Sequence, residues 1–111
     1  MMARLEFHGL RFETAIMAER RIEFHRLALK EFDEARKWYL ERSPDAERKF
    51  KAAVEDAIDR ISRNPALLPR YANNYQWVRV QRFKFIVVFR SRSANEISVV
   101  AVAHTSRRPG Y

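Results

Sequence analysis

The chain predicts an α+β domain: a helical hairpin packed on one face of a small, mainly antiparallel sheet, in the order β-α-α-β-β-β. Three observations carry this prediction. Apolar residues recur at helical spacing over 28–63, and at strand spacing once before that stretch and three times after it. Ser43-Pro44-Asp45 interrupts the helical stretch with a break too short for anything but an antiparallel turn.

Taken in order, 21–27 reads as a strand with Ile22 and Phe24 on one face and Glu23 and His25 on the other. A first helix over 28–42 buries Ala28, Phe32, Ala35 and Tyr39, with Leu29 and Trp38 widening the stripe. One of Trp38 and Tyr39 belongs in that stripe, which leaves the other on the surface. Ser43 suits an N-cap, Pro44 the first helical position, and Asp45 the positive end of a second helix over 44–63. Ala46, Phe50, Ala53, Val54, Ala57, Ile58 and Ile61 form its buried stripe, and Asn64-Pro65 stops it. Glu31, Glu34, Glu41, Glu47 and Glu55 read as solvated helix faces.

A loop over 65–76 leads to a strand at 77–83. Residues 85–92 read as a strand whose apolar residues, Phe85 to Phe89, are consecutive, which predicts an interior strand. After a turn at 92–95, the last strand, 96–104, sets Ile97, Val99 and Ala101 on one face and Val100 and Val102 on the other. The three final strands form a meander, and the sheet face away from the helices is left for basic residues and a ligand. Residues 1–16 fit this plan poorly: charges interrupt the apolar residues and Gly9 breaks any helix. They are expected to be an extension (an upstream start, a flexible arm or a weak helix), with the domain over 17–111.

With 111 residues the chain has room for one domain. It has no cysteine, which excludes disulfides, thiolate metal sites and cysteine nucleophiles. His8, His25 and His104 have no metal-like spacing, and Gly9 and Gly110 cannot make a phosphate-binding loop, so no metal or cofactor is expected. No apolar run approaches a membrane span and no signal-peptide pattern opens the chain, so a cytoplasmic protein is expected. The net charge of +8 is uneven: residues 28–64 balance to zero, whereas 66–111 carry eight Lys/Arg against Glu96 alone. Such a field favours an anionic partner, a nucleic acid or an acidic protein.

This order resembles the RelE/ParE toxin superfamily of type II toxin–antitoxin systems, the plasmid-stabilisation family. The resemblance covers about 20–111. It rests on Ile22-Glu23-Phe24-His25, then Ala28, Phe32, Ala35 and Trp38-Tyr39, and the second helix ending at Asn64-Pro65. Trp77-Val78-Arg79-Val80 and Phe83 to Phe89 follow, then Ile97 to Val102 running into His104-Thr105-Ser106-Arg107-Arg108-Pro109-Gly110-Tyr111. The closing segment is its most specific part. Lys84 stands where many relatives carry proline or glycine.

The resemblance implies a growth-inhibiting toxin held inactive by a cognate acidic antitoxin. It leaves two mechanisms open, because one fold serves both. One branch poisons DNA gyrase and is not known as a nuclease. There, the helical hairpin and the basic sheet are both interaction surfaces, which makes Trp38, Tyr39, Arg90, Arg107 and Arg108 the expected partner-binding residues. The other branch cleaves messenger RNA at the ribosome without metal, which needs a base for the 2′-hydroxyl, an acid for the leaving oxygen and positive charge for the phosphorane. Under that reading Tyr111 and Arg107 match its C-terminal tyrosine and arginine, and Arg79 and Arg82 lie on its basic catalytic strand. His104 is an alternative acid or base, or else a strand-end histidine bonded to the backbone. Arg79 and Arg82, three apart, point to opposite faces of a regular strand. A relative that binds antitoxin without being toxic is the third alternative.

Overall fold

A computed structural model describes residues 2–4 and 20–106. Strand β1 (Met2–Arg4) precedes β2 (Arg21–His25), α1 (Arg26–Arg42), α2 (Pro44–Arg63), a 3-10 turn (Pro65–Leu67), β3 (Gln76–Val80), β4 (Phe85–Ser93) and β5 (Glu96–His104). The sheet order is β1-β2-β5-β4-β3. β2 runs parallel to β5 and every other pair is antiparallel. Parallel neighbours need a crossover, and the helical hairpin begins it. The expected α+β fold is thus present, with both helices on one face. Of the residues set apart as an extension, Met2–Arg4 pair their backbone with β2, and 5–19 lie outside the described residues.

The largest boundary differences from the sequence reading are at the ends of β2 and β3. β2 ends at His25, because the His25 side chain caps α1: its Nδ1 accepts from the Leu27 N–H at 3.1 Å. β3 ends at Val80, because the chain turns there and Phe83 N–H donates back to Val80 O at 3.2 Å. Ser43 closes one helix and opens the next. Its N–H donates to Tyr39 O at 2.9 Å, and its Oγ accepts from Asp45 and Ala46 at 3.1 and 3.2 Å.

The core lies between the helices and the sheet. Phe32 and Ala28 from α1 meet Phe50, Val54, Ile58 and Ile61 from α2. Beneath them lie Ile22 and Phe24, Val78 and Val80, Val87 and Phe89, Ile97 and Val99. The alternation expected for β5 breaks at Val100. Val88 pairs with Ala101 but Phe89 pairs with Val99, so one residue bulges. The bulge returns Val102 to the core and sends Ala101 to the face away from the helices.

Not all the glutamates are solvated. Glu47 is 7% exposed, and its Oε2 accepts from Arg36 Nη1 at 2.7 Å, which ties α2 to α1. Glu31 Oε1 accepts from the Val102 N–H at 2.8 Å, where β5 has run past the end of β2. Burial raises the Glu31 carboxyl above its usual range, against the pull of that hydrogen bond, and nearby Glu34 adds to the rise. Arg20, just ahead of β2, donates to the Ser62 and Arg63 carbonyls at the end of α2 and to Ala94 O at 3.2 Å. A cation there complements the negative end of the helix.

Candidate functional site

The turn between β3 and β4 meets the end of β5. Phe85, the first residue of β4, pairs with His104, the last of β5, and Thr105 N–H donates to Lys84 O at 2.8 Å. The β3–β4 turn, with Arg82 and Lys84, therefore lies against the end of β5. Arg82 and Lys84 are both exposed. Arg107, Arg108 and Tyr111 lie outside the described residues.

His104 uses one ring nitrogen within its own turn. Its Nδ1 accepts from the Ser106 N–H at 3.1 Å, and Ser106 Oγ lies 2.6 Å from the same atom. A backbone N–H can only donate, so in the neutral ring the proton sits on Nε2. The ring stands edge-on to Phe85, with centroids 5.1 Å apart. The backbone-bonded alternative for this histidine is thus realised, and Nε2 is left for other work.

Arg79 and His104 stand on opposite faces of the sheet. Val80 pairs with Phe85 and faces the core, so Arg79, one residue back, faces away from the helices. His104, two residues after core-facing Val102 and opposite Phe85, faces the helix side. Arg82 leaves the strand altogether. It occupies the third position of the turn with φ +72°, which favours glycine. A non-glycine residue there costs about 1–2 kcal/mol. Arg82→Gly is therefore expected to raise stability by about 1 kcal/mol in urea unfolding, despite removing a side chain.

On the face away from the helices, Arg79 and Arg90 are exposed, and Arg90 sits 5.8 Å from the Tyr75 ring centroid. Between them Val88 and Ala101 are fully buried.

The Trp38–Tyr39 pair divides as expected. Tyr39 packs on Phe50 at 4.9 Å and Phe83 at 5.1 Å, and burial raises its hydroxyl above the usual tyrosine range. Trp38 is 50% exposed, against Tyr39 at 5.0 Å. The Arg42 guanidinium lies 3.3 Å over the Trp38 ring, and Arg42 Nη1 donates to Trp38 O at 3.0 Å. Tyr39 lies 6.4 Å from Phe85, so one row of rings runs from Trp38 through Tyr39 and Phe85 to His104. The surface tryptophan and the end of β5 therefore belong to one end of the molecule. Among the described residues, no three histidine or acidic side chains gather as a metal would require, and no helix is long and apolar enough to cross a membrane.

Residues 22–109 match a family model described as the ParE toxin of the type II toxin–antitoxin system parDE. Among solved structures, the chain resembles one from the chromosomal ParDE toxin–antitoxin system of P. aeruginosa, with a TM-score of 0.67 at 15% identity. The likeness covers 77% of this chain and 95% of that one, and at such identity it speaks for the fold alone. No curated protein sequence matches.

Proposed function

The chain belongs to the ParE toxin family of type II toxin–antitoxin systems, and from that premise we propose that it arrests growth by acting on DNA gyrase until a cognate acidic antitoxin masks it. The family match carries this reading. The separation of Arg79 from His104 across the sheet supports it against messenger-RNA cleavage, which would need its basic groups around one phosphate. The +7 balance of residues 66–111 suits an acidic antitoxin, with fast, salt-sensitive association. Both proteins act in the cytoplasm, where gyrase is.

The antitoxin docks across the end of the molecule marked by the ring row. Trp38, half-exposed and stiffened by Tyr39 beneath and Arg42 above, is the anchor. Trp38→Ala is expected to weaken antitoxin binding by about 2 kcal/mol, roughly thirty-fold in Kd by calorimetry. The unfolding midpoint should barely move, because the ring lies outside the core. Arg90, Arg107 and Arg108 supply charge to the same partner, so their replacement should flatten the salt dependence of association.

Induced expression in bacteria, with and without the antitoxin gene, tests the function. Arrested growth relieved by the antitoxin, with DNA breaks and an SOS response, is the expected outcome. Cleaved transcripts with intact DNA would replace gyrase with the ribosome, and His104, Arg107, Tyr111, Arg79 and Arg82 would become the residues to test. Unimpaired growth in both cultures would leave an antitoxin-binding protein without toxicity.

A further inference from the structure

The two rims of the sheet are closed by different means. Along β3, Trp77 N–H donates to Pro69 O at 3.1 Å, Arg70 bridges Gln76, and Arg60 Nη2 donates to Arg79 O at 2.6 Å. The Gln76 side chain holds the preceding loop in place through Pro65 O and Leu68 O, at 2.6 and 3.0 Å. That rim is sealed by its own domain. Along β2, the described backbone partner is the three-residue strand Met2–Arg4.

The direction of the β2 backbone groups follows from one bond. Arg21 N–H donates to Asn95 O at 2.7 Å, toward β5. Strand alternation then turns the groups of Glu23 and His25 toward β5 and those of Ile22 and Phe24 outward. The register sets Ala3 opposite Phe24, so these two residues exchange the hydrogen bonds that close the rim. Without that strand, outward N–H and C=O groups would offer a template for another chain.

We infer that the outer rim of β2 is a strand-addition site for a second copy of this chain, and that Met2–Arg4 guards it. Charge selects this occupant. An antiparallel pairing centred on Ile22 sets outward-bonding residues opposite one another: Ile22 against Ile22 of the second copy, and Phe24 against Arg20. It also sets Arg21 of each copy opposite Glu23 of the other, an attractive cross-strand pair made twice. Arg21 can serve there, because its guanidinium is half-exposed and only loosely paired with Glu96, at 4.0 Å. A register centred on Glu23 would instead set Glu23 against Glu23 and Arg21 against His25. One centred on Phe24 would run into α1, which begins at Arg26.

Ala3→Pro tests both halves of the inference, since proline removes the N–H that pairs with Phe24 and keeps the full chain. Amide exchange at Phe24 is compared with Glu23, whose N–H faces β5. In dilute Ala3→Pro protein, Phe24 should exchange at least about tenfold faster while Glu23 holds. As concentration rises, Phe24 protection should return together with a dimer in sedimentation equilibrium. Adding Glu23→Arg should abolish that dimer, and adding Arg21→Glu as well should restore it. Unchanged Phe24 exchange would overturn the guard. A deprotected but monomeric Ala3→Pro chain would overturn the second copy as occupant. A dimer that survives Glu23→Arg would overturn the Ile22-centred pairing.

Discussion

Phe50→Ala is expected to destabilise the protein by about 3–5 kcal/mol, the usual cost of emptying a large aromatic site in a core. Phe50 is fully buried and packs from α2 onto two rings of α1. Its ring stacks on Tyr39 at 4.9 Å and Phe32 at 5.9 Å, and meets Phe83 and Phe85 edge-on at 5.3 and 5.2 Å. Four aromatic rings cannot all shift to refill one vacancy, because each is fixed by a different element: α1 for two of them, the β3–β4 turn for Phe83 and β4 for Phe85. The cost should therefore fall at the upper end of the range. A domain of this size has about 5–15 kcal/mol in total, so the variant should sit near its unfolding transition at growth temperature. Urea unfolding checks this: the midpoint should drop sharply at constant slope. Phe50→Leu keeps most of the volume and should lose less than half as much.

That ring cluster shows what the sequence made legible. Phe32, Tyr39 and Phe50 stood out because each falls on a helical stripe, and the stripe has a period that strands and loops lack. The strands were legible for a similar reason, as was the helix joint, where Ser43 and Pro44 have few other uses in that order. The adjacency of β2 and β5 was not legible, since strand order along the chain does not fix order in the sheet. Nor was the bulge at Val100. Seven consecutive small or apolar residues, Val99 flanked by Ile97 and Ala103 among them, carry no parity that could mark a skipped position. His25 hid its cap because a histidine reads as a strand residue before it reads as a helix start.

The site divides in the same way. That Trp38 or Tyr39 must be exposed follows from helical spacing alone, and the structure selects Trp38. The meeting of Lys84 with Thr105 depends on pairing between residues far apart in the chain, Phe85 and His104, which no local pattern reports. Arg82 was expected on a strand opposite Arg79. Instead the turn takes it, in a backbone conformation that favours glycine.

The second large effect is expected at Arg36, where the helical reading of charge failed most clearly. Glu47 lies three residues before Phe50 and seven before Val54, so it shares their stripe, and that spacing was the available signal of its burial. Its partner is on the other helix, eleven residues away. Arg36 donates to Glu47 at 2.7 Å and to Asp33 at 3.2 Å, and those bonds, Glu47's first, raise the guanidinium further above its usual range against the opposing effect of burial. Arg36→Ala would leave the Glu47 carboxylate buried and without that partner. The cost should be roughly 2–4 kcal/mol, below the full figure for a buried pair because Arg36 is about one-third exposed. The pair itself is a different matter. Replacing both members with apolar residues of similar size, Arg36→Met with Glu47→Leu, should recover most of the loss, because no charge is then desolvated. A double-mutant cycle in urea separates the two cases. If the double variant is as unstable as Arg36→Ala alone, the bridge holds the hairpin by its own strength. If stability returns, its role is to fix how α1 and α2 meet, and so where Trp38 stands relative to the end of β5.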